Sequence, residues 1–102
     1  MVKTSQEFYN YVAKQLEPIG DIRMRAMMGG YMIYHQDLLV GGLYGDELLL
    51  KETAEIMSRN LPRKKPYDSA KRTMFLVENL DDGARLKELI IATHHGLAIG
   101  KK

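Results

Sequence analysis

Apolar residues recur at helical spacing near both ends of the chain, and they alternate with polar residues in between. The first helix is predicted from an apolar stripe of Phe8, Tyr11/Val12 and Leu16. Thr4 is the expected N-cap of this helix, with Glu7 three residues further on as in a capping box. A second stripe, following an aspartate cap at position 81 or 82, predicts a last helix. Its members are Leu86, Leu89, Ile90, Thr93 and Leu97.

Extended segments fill the first half of the chain between these helices. Residues 22–28 alternate strictly, with Arg23, Arg25 and Met27 on one predicted face. Three more segments also have strand character. They are residues 31–35, 38–44 and 47–51. Gly45-Asp46 separates the last two, and a glycine at the first turn position predicts a type II′ hairpin.

The second half of the chain contains a short helix and one firm strand. Thr53 is the expected cap of a helix that runs to about Asn60, with Ile56 and Met57 facing inward. Residues 73–77 form the strand, and residues 63–67 are its expected hairpin partner.

Gly29 and Gly30 interrupt the extended region, and two interpretations remain open. The pair forms the turn of a hairpin between two short strands, or it forms a bulge that bends one long strand. In both interpretations, glycine is needed only because of the backbone conformation. A third use of the pair is close backbone approach by a partner or ligand.

With one long strand through the glycine pair, the element order is helix, three strands, helix, one or two strands, helix. Short connections between strands predict antiparallel pairing, and three amphipathic helices need one apolar sheet face to cover. We therefore predict an α+β two-layer sandwich of the type α-β(3)-α-β(2)-α, with one antiparallel sheet and the helices on one face. The length of 102 residues fits a single domain over residues 1–102.

Composition excludes some classes of protein but does not identify the function. The chain has no cysteine, no apolar run long enough for a membrane helix and no secretory signal, so a soluble cytoplasmic protein is expected. Net charge is +2, but it is unevenly distributed: residues 59–72 hold six Lys/Arg and one Asp. That segment is the candidate nucleic-acid site. Its residues are Arg59, Arg63, Lys64, Lys65, Tyr67, Lys71 and Arg72.

Six phosphate contacts from this segment predict a salt slope of roughly −5 on duplex DNA. A solvated loop that keeps the protein soluble is the alternative interpretation. Catalytic and cofactor motifs do not emerge from the rest of the chain. His94 and His95 are adjacent, which is poor spacing for one metal on a helix, and nothing in the sequence places His35 near them. We predict no enzyme activity, no cofactor and no metal.

The stretch AMMGGYMIYHQDLL, followed by LYGDELLLK, resembles the N-terminal domain of the TfoX (Sxy) competence-regulator family. The family strand reads Met-Phe-Gly-Gly-Tyr-Gly-(Ile/Leu)-Tyr, and its hairpin ends Asp-Gly-Glu-Leu-Tyr-Leu-Lys. The matching residues are Met27, Gly29, Gly30, Tyr31, Ile33, Tyr34, Glu47, Leu48, Leu50 and Lys51. Met28, Met32 and the inverted Gly45-Asp46 depart from the pattern.

The resemblance implies a long, bent first strand and a non-enzymatic domain that regulates DNA uptake or transcription. Its implied partner is a transcription factor of the cyclic-AMP receptor type. The chain is expected to be a stand-alone copy, without the helical C-terminal domain of full-length members. A homodimer and a DNA contact are the other expected partnerships. The candidate protein-binding residues are Arg23, Arg25, Met27, Gly29, Gly30, Tyr31 and Tyr34.

Overall fold

A computed structural model describes residues 3–100 as one six-stranded sheet with three α-helices. The helices are Gln6–Leu16 (α1), Ala54–Met57 (α2) and Gly83–Gly100 (α3), and a 3-10 turn, Glu17–Ile19, follows α1. The strands are Ile22–Met27 (β1), Gly30–His35 (β2), Leu38–Tyr44 (β3), Glu47–Leu50 (β4), Arg63–Lys64 (β5) and Met74–Val77 (β6). Their order across the sheet is β1-β2-β3-β4-β6-β5, with every neighbouring pair antiparallel. The predicted α+β class with one antiparallel sheet is confirmed.

The glycine pair belongs to a tight hairpin between β1 and β2. Met27 pairs with Gly30, so Met28 and Gly29 are the two turn residues. Their φ angles are 45° and 90°, and two successive positive values are typical of a type I′ turn. The long, bent strand implied by the resemblance is therefore wrong. Two strands lie there, and four strands rather than three precede α2.

Helix α1 begins one residue later than the capping pattern predicts. The Ser5 hydroxyl accepts a hydrogen bond from the Phe8 amide at 3.1 Å and is the N-cap. The Thr4 hydroxyl instead donates to the Gly45 carbonyl at 2.7 Å, which ties the helix start to the β3–β4 turn. That turn has two residues as predicted, and Gly45 takes a φ of 60°.

Helix α2 is a single turn, shorter than predicted. It ends at Met57, and Asn60 adopts the left-handed conformation expected of a stop, with a φ of 57°. One turn presents only one side chain inward. Ile56 is fully buried, whereas Met57 is 51% exposed, so its predicted inward orientation is wrong.

One face of the sheet is covered by the helices and forms the core. Register places alternate strand residues on that face, where they meet apolar side chains from all three helices. The strand contribution is Ile33, Val40, Leu43, Leu48, Leu50, Phe75 and Val77. The helix contribution is Val12, Leu16, Ile56, Leu86, Leu89 and Ile90. Burial of this set is the main apolar contribution to stability.

Helix α3 is capped by the second of the two candidate aspartates. The Asp82 carboxylate accepts from the Arg85 amide at 3.0 Å. Across residues 3–100, no helix is both long and apolar enough to cross a membrane. The predicted single domain also includes residues 1–2 and 101–102, which lie outside the described residues.

Candidate functional site

The face of β1–β3 that points away from the helices is the first candidate site, called here the open face. Pairing of Arg23 with Tyr34, of Arg25 with Met32 and of Tyr34 with Leu39 places their side chains together on this face. The two arginines are exposed, and the apolar members are only partly buried. The open face comprises Arg23, Arg25, Met27, Met32, Tyr34 and Leu39.

The open-face side chains contact one another. The Arg23 guanidinium lies 5.9 Å from the centroid of the Tyr34 ring and 2.9 Å from the Asp37 carboxylate. The Tyr34 hydroxyl lies 3.7 Å from the sulfur of Met32. Aromatic, methionine and arginine side chains are the types enriched at protein interfaces, and here they form one continuous cluster.

The predicted protein-binding residues do not all share this face. Tyr31 points to the helices, where its ring centroid lies 4.4 Å from that of Tyr9. Gly30 is buried, and a Cβ added there would lie 2.2 Å from the Leu43 carbonyl oxygen. Gly29 lies in the exposed hairpin turn beside Met28, which is 78% exposed. The structure thus brings together four of the predicted residues on the open face: Arg23, Arg25, Met27 and Tyr34. The other three, Gly29, Gly30 and Tyr31, are not part of this cluster.

The whole side of the sheet that points away from the helices is called here the second face, and beyond β3 its residues are more buried. Leu49 pairs with Gly42 and Leu76, so its side chain lies on the second face, yet it is fully buried. The chain between β5 and β6 contributes Ala70, also buried, near this part of the sheet. The second face is therefore covered at Leu49, whereas it is open across β1–β3 and partly exposed at Met74 and Leu76 of β6.

The cations of the basic segment, residues 59–72, fall into two groups. Three of the six have acidic partners on other elements: Arg59 with Glu88 at 2.6 Å, Arg63 with Glu52 at 3.3 Å, and Lys64 with Glu47 at 2.5 Å. Lys65, Lys71 and Arg72 have no ion pair within residues 3–100. The candidate nucleic-acid surface is thus half neutralised by the protein itself.

The exposed Arg59–Glu88 pair changes the pKa of both partners. The hydrogen bond from Arg59 lowers the pKa of Glu88, and the same bond raises the pKa of Arg59. Arg63 also lies 5.3 Å above the Phe75 ring centroid, which holds it against the sheet. These contacts make both arginines part of the protein's own surface packing.

A groove of about 1130 Å³ lies beside the unpaired half of the basic segment. Leu39, at the start of β3, and Met74, the first residue of β6, contribute to its lining from the sheet. Tyr67 and Arg72 contribute from the chain between β5 and β6. Burial raises the pKa of Tyr44, a fifth lining residue, and the nearby Tyr67 adds to the effect.

Two histidines that are far apart in the sequence meet where α3 packs against β2. The rings of His35 and His94 are 4.8 Å apart at their centroids and nearly perpendicular. His94 Nδ1 lies 3.0 Å from the His35 carbonyl oxygen, and His35 Nδ1 is buried with no hydrogen-bond partner among residues 3–100. Burial lowers the pKa of His35, and His94 lowers it further, while Asp21 opposes the shift. Among these residues, no group of three or more His, Cys, Asp or Glu has metal-binding geometry.

Sequence reasoning missed the ion pairing, the groove and the histidine pair. Each depends on residues from separate elements, such as Glu47, Glu52 and Glu88 around one basic segment. The local signal that was available, a run of cations after Pro62, shows charge but not its neutralisation.

Comparison with known proteins identifies the family. The TfoX N-terminal domain family matches residues 14–91, more than three quarters of the chain. A search among curated proteins finds no significant match. The match includes the β1–β2 hairpin, the open face and the basic segment. The chain belongs to the TfoX N-terminal domain family.

Proposed function

We propose that this domain is a non-enzymatic regulatory or adaptor module that acts through protein contacts on its open face. The observation that carries the proposal is the partly exposed cluster of Met32, Tyr34 and Arg23 on a sheet face that the helices leave uncovered. An antiparallel sheet with one covered face usually has polar residues on the other. Methionine and tyrosine at these positions favour contact with a partner.

The family supplies the biological setting of the proposal. Members of the TfoX (Sxy) family regulate DNA uptake or transcription, and the resemblance of this chain implies the same role. The partner we propose is a cytoplasmic transcription factor of the cyclic-AMP receptor type, with a second copy of the chain as the other protein candidate. The family is not a known enzyme family, which agrees with a role in binding.

Affinity capture from the native cell tests the proposal directly. The bait proteins are the wild type, an open-face variant carrying Met32→Ser and Tyr34→Ser, and a control carrying Ile91→Ser. Ile91 is an exposed apolar residue on α3, at 43% exposure, so the control also removes surface hydrophobicity. We expect a specific partner by mass spectrometry that the open-face variant loses and the control keeps. Capture of the same partners by all three baits would contradict the proposal.

Direct nucleic-acid binding through residues 59–72 is the second candidate function. Exposed Tyr67 lies close in sequence to Lys65, Lys71 and Arg72, the three cations of the basic segment that have no ion pair within residues 3–100. Three phosphate contacts predict a salt slope of roughly −3 on duplex DNA, against roughly −5 for all six cations. Measuring affinity at two salt concentrations distinguishes these values. A flat salt response would eliminate this function.

A further inference from the structure

The groove beside the basic segment lies where β4 ends and β6 begins. Lys51 follows β4 directly, and its amide donates to the Val40 carbonyl at 2.8 Å, which fixes this edge of the groove. The opposite wall is the chain from Pro66 to Thr73. Leu97 of α3 contributes an apolar side chain to the same space. The groove therefore joins three parts of the fold rather than lying within one loop.

The charges around this groove are unbalanced. Lys51, Lys71 and Arg72 line it, and none has an ion pair within residues 3–100. Glu52 also lines it, but its Oε2 atom accepts from Thr73 at 2.5 Å and lies 3.3 Å from Arg63. The carboxylate is thus already compensated, and the groove presents a net positive charge to an incoming ligand.

Apolar and aromatic side chains provide the rest of the lining. Leu39, Met74 and Leu97 are partly buried, so each keeps accessible surface. The Tyr44 ring lies above Gly42, where an added Cβ would come within 3.1 Å of its Cε1 atom. Glycine at position 42 thus lets the ring lie against the sheet. Tyr67 is 46% exposed and completes an amphipathic wall.

We propose that this groove binds a peptide segment of a partner protein in which acidic residues flank an aromatic or large aliphatic side chain. The cations Lys51, Lys71 and Arg72 would pair with the carboxylates. Met74 and Leu97 would accept the apolar side chain, and methionine adapts well to such an anchor. The inference rests on the proposed function in one respect, since it assumes a protein partner.

Charge and apolarity together favour a peptide over a nucleic acid. A single strand needs cations along the whole backbone and flat aromatic faces for successive bases. Here half of the basic segment is already neutralised, and the two tyrosines of the groove share its lining with Leu39, Met74 and Leu97, which offer no stacking surface. A short acidic and apolar peptide satisfies both kinds of lining at once.

Selection from a phage-displayed library of random 12-residue peptides tests the proposal. The wild-type protein is the target, and enriched peptides are synthesised with a fluorescein label for anisotropy measurements. The rim variant carries Lys71→Gln and Arg72→Gln. The matched control carries Arg59→Gln and Lys64→Gln, which removes the same charge from the same segment outside the groove. A third variant, Ser69→Trp, fills the groove without changing charge.

We expect enriched peptides to combine Asp or Glu with Phe, Trp or Leu. Loss of two charge-assisted contacts should weaken their binding to the rim variant by about tenfold or more. Ser69→Trp should weaken it similarly, and the control should stay within about twofold. Far-UV circular dichroism confirms that each variant is folded. Failure to enrich acidic peptides, or equal affinity for the rim and control variants, would overturn the proposal.

A labelled 12-nucleotide single strand is measured against the same four proteins. If it binds more tightly than the peptides and competes with them for the groove, the site recognises nucleic acid and the peptide proposal is wrong. The open-face capture experiment is independent of this result. If the Met32 and Tyr34 variant loses its partners but no acidic peptide binds the groove, only the groove proposal is wrong. If acidic peptides bind the groove but that variant keeps its partners, only the open-face proposal is wrong.

Discussion

The two faces of the sheet are built from alternate residues of the same strands, but they differ in burial and in residue type. On β6, Phe75 and Val77 are 2% and 3% exposed and point to the helices, while Met74 and Leu76 point the other way and remain partly exposed. At its buried strand positions, the covered face contains only apolar residues and His35. The opposite face mixes arginine, tyrosine and methionine. Within one strand, neighbouring residues thus differ in how far they are buried in the core.

Truncation of two adjacent residues on β6 tests whether the two faces differ in their contribution to stability. Phe75→Ala should lower the free energy of unfolding by about 3–5 kcal/mol, because it leaves a cavity in the core. Leu76→Ala, on the second face, should cost about 1 kcal/mol. Urea unfolding followed by circular dichroism measures both. Equal losses of unfolding free energy would mean that the two faces of the sheet are packed alike.

The glycine pair offers a second test, within the hairpin that carries the open face. Gly30→Ala should lower the free energy of unfolding by roughly 2–3 kcal/mol, because its Cβ would meet the Leu43 carbonyl oxygen at 2.2 Å and push β2 from β3. Gly29→Ala should cost about 1 kcal/mol, through its positive φ alone.

Gly83→Ala is the control for this pair. Nothing lies within 4 Å of an added Cβ at Gly83, and alanine favours helices, so the variant should be neutral or slightly stabilised. If the Gly30→Ala protein were as stable as the Gly83→Ala protein, β2 and β3 could move apart enough to accommodate the added Cβ without loss of stability.

Sequence patterns predicted the elements whose signals are local. The pattern predicts a strand over residues 38–44, and β3 has those bounds. The Gly45-Asp46 turn and the α3 stripe were also found where the pattern placed them. The two interpretations of Gly29 and Gly30 could not be separated, because both a hairpin and a bulge tolerate glycine. Pairing of β1 with β2 decides between them, and pairing is a property of the whole sheet.

The candidate site was less predictable than the fold, because its contacts are long-range. His35 and His94 are 59 residues apart in the chain and touch only because β2 and α3 pack together. Tyr31 shares a motif with Tyr34, but it lies on the opposite face, since the two are separated by an odd number of strand positions. Charge runs likewise show cations without their partners. The acidic partners of the basic segment come from β4, from the chain after β4 and from α3.

His35 allows a pH test of the covered face. Its lowered pKa, caused mainly by burial, means that the folded state resists protonation, whereas the unfolded state takes up the proton below about pH 6.5. The free energy of unfolding should therefore fall as pH drops from 7 towards 5, by at most about 1.4 kcal/mol per pH unit from this group. Urea unfolding at several pH values measures the slope.

Two glutamine substitutions separate His35 from other titrating groups in this test. His35→Gln should flatten the pH dependence in that range, and His95→Gln, which removes an exposed histidine near Glu55, is the comparison variant. An unaltered slope in the His35→Gln protein would assign the effect to groups elsewhere in the chain.

The smallest expected effect lies at the tip of the open-face hairpin. Met28 has a φ of 45° and is 78% exposed, so its side chain gains little from burial while its backbone is strained. Met28→Asn should raise the free energy of unfolding by ~0.5 kcal/mol, because Asn-Gly is the preferred type I′ pair. Met28→Val should lower it, because a branched side chain disfavours that conformation. If both variants were equally stable, turn strain would not limit this hairpin. If Met28→Asn also lost the partner that the open face captures, the contact surface would extend to the hairpin tip.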